Sequence, residues 1–159
     1  MTNDQIKAYT LRVSQASECG LVVILYDIIL EDISTAKKAL ADGDKQKFHA
    51  DLKHAGLFVN ELMKNLDFSV PMSHNFISLY IYSQRVMTRA EVAEKAEELE
   101  SVEDVFVKLR DGFKEIDDKI SGAPVMTNVQ QVYAGLTYGR GCLNEAYVNA
   151  SDYNRGFSA

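Results

Sequence analysis

Leu21-Val22-Val23-Ile24-Leu25-Tyr26-Asp27-Ile28-Ile29-Leu30 carries a single charged residue, Asp27. Apolar residues recur at three- and four-residue spacing through most of the chain, which predicts helices, and the long helix that holds this run is expected to reach about Ala41. Ser17 is a suitable N-cap, and Glu18 falls in the first turn, where a negative charge meets the positive end of the helix dipole. Asp42-Gly43-Asp44 reads as a stop and a restart. Gly43 suits the left-handed C′ position, and Asp44 can cap the next helix.

Phe48, Leu52, Ala55, Val59, Leu62, Met63 and Leu66 form the stripe of a second helix, broken at Asp67 to Pro71. A third carries Phe76, Leu79, Tyr80, Val86, Met87 and Ala90 and is expected to run to about Glu98. Ser101-Val102-Glu103-Asp104 fits a capping box. It is expected to open a fourth helix with Val105, Phe106, Leu109, Phe113, Ile116 and Ile120. Ser121-Gly122-Ala123-Pro124 ends that helix. Four helices of roughly 20 to 25 residues with short connections predict an all-α, antiparallel up-and-down four-helix bundle over residues 17–122.

The flanks differ. Residues 1–16 read as an N-terminal flap. Residues 123–159 read as a conditional C-terminal helix and tail. Thr127-Asn128-Val129-Gln130 resembles a capping box, and Val129, Val132, Leu136, Leu143 and Ala146 follow an amphipathic rhythm. Gly135, Gly139 and Gly141 interrupt it, each costing a helix about 1 kcal/mol against Ala. Such a helix needs a surface to lie on. From Asn149 onward disorder is expected.

Composition narrows the function. The chain has 159 residues, 47% hydrophobic and 25% charged, with a net charge of −6. An acidic chain has no general attraction for nucleic acid or anionic lipid, so neither a nucleic-acid partner nor membrane insertion is expected. The first residues show no apolar signal core, and the longest apolar run is too short for a bilayer. Cys19 and Cys142 lie far apart, and a structural disulfide is not expected without a secretory signal. Both readings point to the cytoplasm.

Catalytic patterns are weak. A di-metal bundle needs Glu-x-x-His on two helices, and Asp51-Leu52-Lys53-His54 comes near it only once. No metal or cofactor is expected. Gly139-Arg140-Gly141 lacks the strand and helix entry of a phosphate loop, and there is no G-x-S-x-G elbow. His54, with Lys53 beside it, leaves a histidine phosphotransfer bundle as one alternative. The apolar first helix supports two readings: a central helix buried by its neighbours, or an outer face that receives an apolar partner segment. A homodimer through that helix is a further alternative. Tyr9, Tyr26, Tyr80 and Tyr82 suit either core packing or an interface.

Ala16-Ser17-Glu18-Cys19-Gly20-Leu21, leading to Ile24-Leu25-Tyr26-Asp27, is similar to the A-S-P-G-E-L and M-L-Y-[DN] segments of the FliS family of flagellin export chaperones. Leu79-Tyr80-Ile81-Tyr82 with Arg85 resembles that family's L-Y-x-Y-x-x-R-R, and Leu109-Arg110-Asp111-Gly112-Phe113 its L-R-[DE]-[AG]-[FW]. Tyr9 and Val13 stand where the family has its N-terminal Tyr and Val. The resemblance covers about residues 6 to 120. It departs at Glu18-Cys19-Gly20 and at Val86, which replaces the second Arg.

The resemblance implies a bundle without catalysis that binds the disordered C-terminal segment of flagellin. It implies that the complex blocks premature polymerisation and delivers flagellin to the cytoplasmic domain of the flagellar export gate. The residues expected to bind flagellin are Leu21, Ile24, Leu25 and Ile28 on the first long helix, Ile6 and Tyr9 on a movable flap, and Tyr80 and Tyr82. The tail around Val132, Leu136 and Leu143 is expected to cover apolar surface when no client is bound.

Overall fold

Ser17 opens the helix around which the fold is arranged. Its backbone is extended, and its hydroxyl oxygen accepts a hydrogen bond from the Gly20 amide at 2.9 Å. The computed structural model describes residues 3–120, and every regular element among them is an α-helix. They are α1 (Asn3–Gln15), α2 (Glu18–Ala41), α3 (Lys45–Lys64), α4 (Ser73–Ala93) and α5 (Leu99–Ile120). The expected C-terminal helix and tail lie outside the described residues.

Short connections make α2 to α5 an antiparallel bundle. The turn between α2 and α3 follows the expected chemistry. Gly43 adopts φ +79°, where a residue with a Cβ would be strained. Asp44 then accepts from the Lys47 amide at 2.9 Å. Tyr26, Ile29 and Ile33 from α2, Phe48, Leu52 and Val59 from α3, Tyr80 and Val86 from α4, and Leu99, Val102 and Phe106 from α5 form one buried core.

The N-terminal segment expected as a flap carries helix α1. Two expectations need correction. The third bundle helix stops at Ala93, because Glu94 turns left-handed at φ 50° and its amide bonds back to Ala90 and Glu91. The fourth bundle helix starts at Leu99, so Ser101 lies inside it and its hydroxyl donates to the Glu98 carbonyl at 2.7 Å. The reason lies in the core. Leu99, Val102 and Phe106 are all fully buried, and three- and four-residue steps put them on one helical face only if the helix includes Leu99.

Candidate functional site

The surplus apolar surface of α2 is covered. From Gly20 to Lys37 every residue of α2 is buried or half-buried. Helices α3 and α5 flank it, and α1 lies antiparallel across a further side. Asp27 and Glu31 share that side one turn apart. Arg12 Nη2 bonds Asp27 Oδ2 at 2.5 Å, and the Tyr9 hydroxyl donates to Glu31 Oε2 at 2.8 Å. The Arg12 guanidinium also sits 5.4 Å from the centre of the Tyr9 ring. Burial, with the Glu31 carboxylate beside it, pushes the Tyr9 hydroxyl well above its ordinary pKa, so it remains a donor.

Helix α1 gives little in return. None of its described side chains is buried, and Ile6, Leu11 and Val13 stay exposed. It is a mostly polar helix with a few exposed apolar side chains, and the contacts that fasten it are polar. Beneath its C-terminal end, a cavity of about 840 Å³ opens between α1, α2 and α5. Arg12, Ser17, Ile24, Asp27, Arg110 and Asp117 are among its walls.

The expected site residues divide into groups. Ile6 and Tyr9 lie on α1. Ile24 falls in the same stripe of α2 as Asp27 and Glu31 and is buried at the cavity wall. Leu21, Leu25, Ile28 and Asp32 share the next stripe, which turns toward α3, where Asp32 meets His54. Ile28 is buried there, and Leu21 and Leu25 are half-buried. Tyr80 is a core residue whose hydroxyl bonds that of Tyr26 at 2.6 Å. Tyr82 is exposed on α4 and donates to Ser101 Oγ at 3.0 Å. Ile24 is thus closed off beside α1, and Tyr80 lies inside the bundle.

His54 has a structural task. Its Nδ1 lies 2.6 Å from Asp32 Oδ2, and its ring packs edge-on against Phe58 at 4.9 Å. Asp32 is almost completely buried. Burial pushes its carboxyl above the ordinary range, and the bond from His54 offsets part of that rise. Asp51, held by Lys47 at 2.9 Å, adds further negative charge nearby.

One feature of the site went unread in the sequence. Asp117 on α5 accepts a hydrogen bond from the Ser17 hydroxyl at the start of α2. A Cβ on Gly20 would stand 3.2 Å from Asp117 Oδ2 and 3.3 Å from Ser17 Oγ. Gly20 thus admits the carboxylate to the N-terminus of α2, where the helix dipole favours it. The available signal was a glycine in the first helical turn, which costs helix stability unless another group needs the space.

Among known proteins, the family model described as flagellar protein FliS matches residues 1–120. No curated protein matches the chain.

Proposed function

The chain belongs to the FliS family of flagellar chaperones, and from that premise we propose that it binds the disordered C-terminal segment of flagellin and delivers it to the flagellar export gate. The observation that carries this reading is α1. An apolar face of α2 lies under a helix that places no described side chain in the core and is held by Arg12–Asp27 and Tyr9–Glu31. Such a cover is removable. Undocking it exposes Ile24 and the cavity wall beside Gly20, and frees Ile6 and Tyr9 to meet the incoming segment.

The energetics suit a chaperone that must release its client. A disordered segment loses conformational freedom on docking, and displacing α1 costs the contacts that held it. Both costs draw on the apolar area gained, leaving a moderate affinity. Leu21 and Leu25 extend the proposed face toward α3. Tyr82 contributes only where the client crosses to α4.

Calorimetric titration of the full chain with the last roughly 40 residues of flagellin, a length suited to a wrapped client, tests the reading. Saturable binding is expected, together with faster hydrogen exchange in α1 of the complex. Absence of binding overturns the client assignment. Binding with unchanged exchange in α1 overturns the displacement mechanism alone.

A further inference from the structure

On α4, Ser78, Ile81, Arg85, Thr88, Arg89 and Val92 recur at three- and four-residue steps, and all are exposed. Val92 leaves 81% of its surface in water, and Leu57 across the groove on α3 leaves 65%. Two adjoining hollows, of about 470 and 190 Å³, run along these helices and share Gln84 and Thr88. Gln84 fixes their floor. Its amide donates to the Gly56 carbonyl at 2.8 Å and to Asn60 Oδ1 at 3.1 Å.

Charge distinguishes this face. The chain carries a net charge of −6, yet α4 has no acidic residue from Ser73 through Ala90. Among the described residues no ion pair holds Arg85, while Arg89 meets Glu98 at 2.9 Å in an exposed pair. Lys53 stands on the α3 rim, 72% exposed, with its Nζ 3.8 Å from Glu91, which lines the second hollow. Arg85 and Arg89 thus place exposed positive charge one turn apart, beside the apolar Val92, on an acidic protein.

We propose that the α3–α4 face docks an acidic amphipathic helix of another protein. Carboxylates one turn apart on that helix meet Arg85 and Arg89, and its apolar side chains cover Leu57 and Val92. A second copy of this chain fits poorly. A two-fold pairing centred on these arginines sets Arg85 beside the same arginine of its mate, and like charges there oppose association. A polyanion such as RNA or an anionic bilayer meets repulsion from the rest of the chain. RNA would also leave the two apolar residues uncovered. The α1–α2 face is a separate surface, so this inference does not rest on the flagellin reading.

The test uses the full chain and a fluorescein-labelled helical peptide of about 18 residues, or five turns. The peptide is built from Leu, Ala and Glu, with Glu at four-residue steps, and a twin carries Gln for Glu. The Glu peptide is expected to bind roughly tenfold or more tighter than its twin, and R85A/R89A to lose about that factor while keeping its circular dichroism spectrum. R85E/R89E should instead prefer a peptide with Lys in place of Glu. Failure of the Glu peptide to bind, equal binding of both peptides, or an unaltered affinity in the folded double variants overturns the proposal. So does displacement of the peptide by RNA or by phosphatidylserine vesicles. Parallel loss of flagellin binding in R85A/R89A would reassign this face to flagellin and overturn it as a second docking surface.

Discussion

The hydroxyls of Tyr26 and Tyr80 lie 2.6 Å apart inside the hydrophobic core, hydrogen-bonded to each other across α2 and α4. Phe106 packs near both rings, with centroids at 5.8 and 6.4 Å. Burial and this mutual bond keep Tyr26 protonated far above its ordinary range. Because one hydroxyl donates and the other accepts, the pair also fixes the register of α4 against α2. Tyr26→Phe strands the Tyr80 hydroxyl and is expected to cost about 1–3 kcal/mol. The double replacement strands nothing. Urea denaturation of both single variants and the double should yield a coupling of about 1 kcal/mol or more, the double costing less than the sum. Additive losses would mean that water or backbone relaxation satisfies each hydroxyl alone.

Fastening of α1 is open to a direct test. Arg12 and Asp27 are partly exposed, with side-chain exposures of 46% and 24%. Such a pair contributes about 0.2–1 kcal/mol. Arg12→Ala should therefore loosen α1 without unfolding the bundle, raising its hydrogen-exchange rate. If α1 competes with the flagellin segment, the same change should raise apparent affinity up to about fivefold, because the binding-competent fraction rises with the loss of the competing contact. Added salt acts in the same direction in the parent chain and has less effect in the variant. A fall in affinity would show that α1 supplies contacts to the client rather than blocking it.

Asp32 gives stability a pH dependence of known sign. Its folded carboxyl holds a proton at higher pH than an ordinary carboxylate does. The folded state therefore binds more protons than the unfolded chain between about pH 4, the ordinary carboxylate value, and the raised folded value. The stability this group contributes is full below that ordinary value and is lost as pH rises through the folded one. Asp32→Asn removes the titration, while the new amide oxygen can still accept from His54 Nδ1. Measured by urea midpoints, the parent chain should be most stable relative to Asp32→Asn near pH 4 and should lose ground toward neutrality. A difference that grows toward neutrality would mean that His54 stabilises the carboxylate more than burial penalises it.

How much of this was legible follows from which residues answer to local rules. Ser17, Gly43 and Asp44 act within a few residues of themselves, so sequence spacing located the bounds of α2 and the start of α3. The break between α4 and α5 depends on the core. Leu99 is fully buried, and drawing it into the helix overrode the capping pattern at Ser101. The apolar run in α2 correctly signalled more greasy surface than an ordinary bundle helix carries. It did not reveal that α1 covers that surface, because Arg12–Asp27 and Tyr9–Glu31 join residues 15 and 22 positions apart. Tyr80 and Tyr82 looked alike in sequence, yet two residues on a helix are about 200° apart, and one is core while the other is exposed.

Ser17 and Ser101 both resemble N-caps in the sequence, and their replacement separates appearance from role. Ser17 accepts from the Gly20 amide and donates to Asp117, so Ser17→Ala removes a cap and leaves a carboxylate with one fewer donor. The expected loss is about 1–2 kcal/mol. Ser101 is exposed within α5, and its hydroxyl only returns to the Glu98 carbonyl and receives Tyr82. Ser101→Ala should stay within about 0.5 kcal/mol of the parent. Asp117→Ala in the Ser17→Ala background should add little, because the bond between them is already gone. Thermal or urea unfolding of the four chains decides the matter. Equal losses at the two serines would place the start of α5 at the capping pattern after all, and an additive Asp117 effect would mean that this carboxylate stabilises α2 through the helix dipole rather than through Ser17.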